Sequence, residues 1–133
     1  MNENEKNVKQ VEEVKEIDWN KQMEKFATGT LKLTKPIQDG ENVFKELKWD
    51  FFELTGAEYV AAMDRGEKTD AFRVSATQAL SLFATAAAKA TGTLDATDIR
   101  TRICGRDAQK ATQIASIFFI ASSRAGDMNI SGL

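Results

Sequence analysis

TGTLKLTKPIQDGENVFKELKWDFF, residues 28–52, is the part of the chain whose apolar residues recur at every second position. Leu31 and Leu33 alternate with Lys32 and Thr34, which is the period of a strand with one covered face. Pro36, the only proline, has no backbone donor, so it ends that strand or confines it to an edge. Gln38-Asp39-Gly40 follows with turn chemistry, glycine being free to take positive φ. Alternation then resumes, with Val43, Leu47, Trp49 and Phe51 on one face and Phe44, Glu46, Lys48 and Asp50 on the other. The two runs read as a β-hairpin. A single hairpin is marginal in water, so helices must cover its apolar face.

Downstream the period changes to that of a helix. Thr55 and Glu58 form a capping box, with Leu54 and Tyr59 where a hydrophobic staple would lie, and this helix runs to about Arg65 before Gly66. A longer helix is expected from Thr69 or Asp70 to Gly92. Its stripe is Phe72, Ala76, Ala79, Leu80, Phe83, Ala87 and Ala90, and its second half, ATAAAKA, has so little bulk that another element can approach closely. Asp95 is the expected N-cap of a short helix ending near Cys104-Gly105, and Asp98 suits its positive end. Asp107 is expected to cap a final helix reaching about Arg124. Ala111, Ile114, Ala115, Phe118 and Ser122 share one face of it, whereas Ile117 and Ile120 project elsewhere.

The fold class that follows is α+β: an N-terminal β-hairpin packed on a bundle of three to four helices. Residues 1–27 are expected to be a charged, flexible leader. Val8, Val11, Val14 and Ile17 recur there every third position, but β-branched residues are mediocre helix formers. Residues 28–124 form the domain. Residues 125–133, with Met128, Ile130 and Leu133, are expected to be a flexible tail.

Composition narrows the chemistry. The chain has 133 residues, enough for one domain with a core of its own. It contains no histidine, which removes imidazole bases, histidine-paired nucleophiles and almost every zinc site. Cys104 stands alone, so no intramolecular disulfide forms. Asp95 and Asp98 read as helix caps rather than cation ligands, and Arg100, Arg102, Arg106 and Lys110 as salt-bridging or solvated side chains. With 18 basic and 20 acidic groups the net charge is −2, and no basic stripe marks a nucleic-acid surface. No apolar run is long enough to span a membrane, and the polar N-terminal stretch is no signal peptide. No catalytic, cofactor-binding or metal-binding residues are expected.

The order of motifs resembles a known family. KLTKPI and a glycine turn are followed by FKELKWDFFELTGAEYVAAM, then AAAKATG, LDATDI and RDAQKATQIASIFFIAS. This succession, over residues 29–123, resembles the small tail assembly chaperones of long-tailed phages and prophages. The resemblance implies a non-enzymatic protein that uses no ATP. It would coat the long, helical tape-measure protein in the host bacterial cytoplasm, help recruit tail-tube protein, self-associate, and be absent from the mature virion. Relatives also occur as a longer, frameshifted form. The client-binding patch is expected on Ile117, Ile120, Met128, Ile130 and Leu133. The alternatives are a structural tail or neck subunit retained in the virion and, less favoured, a small nucleic-acid-binding regulator.

Overall fold

The computed structural model describes residues 17–66 and 74–130, with side chains placed through Ala125. Along the chain lie helix α1 (Trp19–Ala27), strands β1 (Thr28–Asp39) and β2 (Asn42–Asp50), and a 3-10 turn (Phe51–Glu53). Helices α2 (Gly56–Met63), α3 (Ala76–Thr91), α4 (Ala96–Arg102) and α5 (Gly105–Ile130) follow. The architecture is α+β, an antiparallel two-stranded hairpin on a helical bundle. The described residues hold five helices, against the three or four expected.

The additional helix corrects the flexible-leader reading for Trp19–Ala27. Asp18 caps α1 by accepting a hydrogen bond from Lys21 N–H at 3.1 Å. Ala27 is buried and Met23 and Phe26 pack against the core. The helix runs along α5, with the Arg124 guanidinium 4.8 Å above the Trp19 ring. Apolar contact with α5 thus offsets the poor helix-forming tendency of an isolated segment. Residues 1–16, the rest of the expected leader, lie outside the described residues.

The hairpin turns at Gly40-Glu41, with Gly40 at φ 61°, the position where a two-residue hairpin loop places glycine. From Thr28↔Asp50 to Lys32↔Glu46 the ladder is regular, and it resumes at Ile37↔Phe44. Between these, Leu33-Thr34-Lys35-Pro36 of β1 stand opposite Lys45 alone, a large bulge. Pro36 therefore sits where no ladder donor is required, on a strand with an open edge. The bulge also changes which side chains face inward. Phe44, read from alternation as outward, lies opposite Ile37 and packs on the core, while Val43, read as inward, is 53% exposed.

A buried carboxylate holds the bulge. Asp107, in the first turn of α5 and fully buried, accepts Thr34 N–H on both oxygens at 2.9 Å, Lys35 N–H at 3.2 Å and the Cys104 thiol at 3.1 Å. The expectation that Asp107 is the N-cap is corrected. The helix begins two residues earlier, at Gly105, and the Asp107 side chain serves β1. At its other end α5 continues to Ile130, which also corrects the flexible tail from residue 125. Residues 131–133 lie outside the described residues.

α3 sits at the centre, against β2, α2, α4 and α5. Gln78, Ala79, Ser81, Leu82, Phe83, Ala84, Ala86 and Ala87 are all buried, so the helix is covered almost all round. Small side chains permit that, because neighbouring backbones can approach on several sides. The helix starts at Ala76, later than expected, behind a Ser75–Gln78 capping box. Buried Gln78 also donates from Nε2 to the Met63 carbonyl at 2.8 Å, which closes the end of α2. Phe72 of the expected stripe lies outside the described residues. Gly92, at φ 81°, ends the helix as expected.

Trp49 joins the hairpin to the helices. Its indole N–H donates to the Phe26 carbonyl at 3.0 Å, and its ring lies 5.5 Å from that of Phe83. Gly29 is directly opposite in the ladder, and a Cβ there would come within 2.5 Å of the indole. Gly29→Ala is accordingly expected to destabilise the fold by about 1–3 kcal/mol, read from urea unfolding followed by tryptophan fluorescence.

Asp107 supplies a second prediction. Burial pushes its carboxyl up, but the Thr34 amide, the Cys104 thiol and the Lys35 amide outweigh burial and hold it at about 2. The folded value lies below the unfolded one of about 3.9, so the stabilisation is complete above that pH and is lost as pH falls through 2. Stability should drop by about 2 kcal/mol across this window, and Asp107→Asn should remove that component of the acid slope in unfolding titrations.

Candidate partner-binding surface

The sequence Asp50-Phe-Phe-Glu-Leu-Thr55 turns the chain from the hairpin into the bundle and splits two adjacent phenylalanines. Asp50 accepts Phe52 N–H at 2.9 Å and so starts the 3-10 turn. Phe51 then points inward, stacked on Phe118 at 4.7 Å and edge-on to Phe119 at 5.3 Å. Phe52 points outward and is 62% exposed, with its ring edge-to-face to that of Phe118 at 5.8 Å.

α2 begins immediately after this turn. Thr55 accepts Glu58 N–H at 3.1 Å and Glu58 accepts Thr55 N–H at 2.9 Å, completing the expected capping box. Lys89 of α3 clamps the junction, donating to the Glu53 carbonyl at 2.6 Å and to Glu58 Oε1 at 2.7 Å. The Lys89 ammonium and the Thr55 amide hold the Glu58 carboxyl below its ordinary value. The pair is partly solvated, so its main effect is to position α2 rather than to stabilise it strongly.

So positioned, α2 presents an apolar face to solvent. Val60 is 57% exposed and Ala57 and Ala61, on the same side, are exposed too, while Ala62 is buried beneath. Tyr59, partly exposed, lies 5.6 Å from the half-buried Phe119 ring, which packs edge-on to Phe118 at 4.9 Å. Phe52 and Tyr59 thus rest on Phe118 and Phe119 and point outward, and Val60 is exposed beside Tyr59 on the same short helix. The signal for this surface was in the sequence: GAEYVAAM contains one charged residue, and Glu58 is taken by Lys89. A short helix apolar on both sides has nothing polar left for water.

The residues expected to bind a partner are distributed differently. Ile117 is 38% exposed and Ile120 is half-buried. These two share a helical face with Arg124, whose guanidinium lies over the Trp19 ring, so the protein's own α1 runs beside the face that was expected to be free. Met128 and Ile130 belong to the backbone of α5, but their side chains lie outside the described residues, as does Leu133. The structure thus does not assemble those five residues into one site.

The polar candidates occupy structural positions. Asp95 accepts Asp98 N–H at 2.7 Å and caps α4. Arg102 donates to the Gln38 carbonyl at 2.9 Å and to Asp39 at 3.1 Å, fastening the hairpin tip to α4. Cys104 bonds Asp107. An open groove of about 320 Å³ between α3 and α5 is lined, among the described residues, by Ala76, Thr77, Leu80, Ala108, Gln109 and Thr112, none of them charged. Among the described residues, no group of three or more Cys, Asp or Glu side chains could hold a metal, and no helix is long and apolar enough to cross a membrane.

No protein-family model, curated protein or solved structure matches the chain.

The platform and its outer residues should separate in a stability measurement. Phe118→Ala, removing a buried ring contacted on several sides, is expected to cost about 3–5 kcal/mol. Val60→Ser, at the exposed face, should change stability by no more than about 0.5 kcal/mol. Chemical denaturation of both variants checks the contrast.

Proposed function

We propose that this chain is a non-catalytic assembly chaperone of the phage and prophage tail type. In this reading it binds a long helical tape-measure protein in the host cytoplasm, keeps it soluble, and gives way to tail-tube subunits, so that it does not remain in the mature virion. The observation that supports the reading is the apolar surface of Phe52, Tyr59 and Val60, standing outside a core that is already closed. A cluster of exposed aromatic and aliphatic side chains on an otherwise well-charged small domain is the usual mark of a protein–protein contact.

The chemistry of such a surface suits a temporary holder. Few polar groups need matching, so an apolar stripe on a helix finds a partner there without a demanding register. One copy grips weakly, but many copies along one filament hold by high effective concentration and are still displaced one at a time. Against the sequence-based expectation, this reading puts the binding patch on the 3-10 turn and α2 rather than on Ile117 and Ile120 of α5.

Co-expression with a candidate tape-measure chain, followed by affinity co-purification, tests this. Phe52→Glu combined with Val60→Glu should reduce recovered client at least tenfold while the melting temperature stays within a few degrees of wild type. Full recovery of client by that folded variant would overturn the placement. A stoichiometric band of the protein in purified particles would overturn the chaperone reading in favour of a retained subunit.

A further inference from the structure

The apolar surface of Phe52, Tyr59 and Val60 is bordered by carboxylates. Asp64 follows Val60 by four residues, and its N–H donates to the Val60 carbonyl at 3.0 Å. The two side chains therefore share one exposed side of α2 with Ala57 and Ala61. Glu53 follows Phe52 in the 3-10 turn and is exposed as well. Among the described residues neither acid is in an ion pair, and Lys89 is held by Glu58 and the Glu53 carbonyl. Arg65 projects to another side, because consecutive helical residues do not face each other. Asp64 is also the C-cap of α2, at the negative end of that helix, and no basic residue stands in its last turn. An acid there works against its own helix, so no contact among the described residues accounts for a carboxylate at this place.

We propose that this surface takes an amphipathic helix whose apolar stripe is bordered by lysine or arginine. The inference rests on the binding role proposed above and adds the charge of the partner. The stripe packs on Phe52, Tyr59 and Val60, and one flanking cation meets the Asp64 carboxylate together with the carbonyl end of α2. Glu53 receives a second cation at the other border. Both charged contacts are exposed, so they select the partner and speed encounter more than they tighten the complex. A second copy of this chain fits less well. It brings the same two acids to the contact, and like charges there oppose pairing.

Two labelled peptides of roughly 18 residues, about five helical turns, test this by fluorescence anisotropy. Both carry leucine at i, i+3, i+4 and i+7 spacing, and the stripe is flanked by lysines in one and by glutamates in the other. The full-length protein should bind the lysine peptide about tenfold more tightly, and the ratio should shrink as salt rises from ~0.05 to ~0.5 M. Asp64→Lys should bring the ratio below about threefold, whereas Glu41→Lys, the same charge change at the exposed hairpin turn, should leave it unchanged. Equal binding of the two peptides by the wild type, or an equal loss in Glu41→Lys, would overturn the proposal while the apolar surface stands. Binding of neither peptide would overturn the surface and the proposal together. A wild-type dimer at the assay concentration that Phe52→Ser with Val60→Ser dissociates would overturn the proposal too, by showing a second copy in that place.

Discussion

A carboxylate sealed from water must find its hydrogen-bond donors within the protein, and Asp107 finds them on an element 72 and 73 residues away. The Thr34 and Lys35 amides are free to donate because β1 bulges away from β2 there, leaving them outside the ladder. The requirement is mutual. Without the carboxylate, two backbone donors at the bulge would lack partners, and without the bulge an anion would be buried alone, at a cost of several kcal/mol. The position of Asp107 in the first turn of α5 adds the favourable potential of a helix N-terminus. One buried, charged hydrogen-bond acceptor therefore ties the bulge of the hairpin to the longest helix.

Around that contact, close approach does most of the packing. α3 passes through the middle of the domain because its buried positions are mainly alanine, with Leu82 and Phe83 as the bulk. The Trp49 indole fits over β1 because residue 29 has no Cβ. The aromatic side chains Trp49, Phe51, Phe83, Phe118 and Phe119 then form a continuous set of stacked, tilted and edge-on contacts from the hairpin to α5. Interiors of this density respond to a single added or missing methyl group. The surface carried on this framework is consequently held by a rigid base.

The same geometry connects structure to the proposed role. Asp50, Thr55 and Lys89 fix the turn so that Phe51 enters the core and Phe52 does not. Had the chain continued as regular strand, alternation alone would also have separated the two rings, but α2 would not have been brought beside Phe119. The turn therefore gathers Phe52 and Tyr59 over one ring pair, the buried Phe118 and the half-buried Phe119. An apolar surface built this way is preorganised, and binding to it requires little reordering of the protein.

Local chemistry made several elements legible without coordinates. Thr55–Glu58, Asp95 and Gly92 announce helix ends because each bonds, or frees, a backbone group within a few residues. The hairpin was legible because Leu31 and Leu47 must point the same way. The Ser75–Gln78 box is equally local and was open to the same reading. What could not be read along the chain depends on contacts distant in sequence. Asp107 has the form of a cap, and only the presence of β1 turns it into an anchor. Trp19–Ala27 is too short to be stable as an isolated helix, and its packing along α5 and the core stabilises it. Ile117 and Ile120 are off the core-facing stripe, yet α1 runs beside them. Short-range hydrogen bonds and side-chain period determined the elements, whereas burial determined their faces, because a side chain's exposure depends on what the rest of the chain places against it.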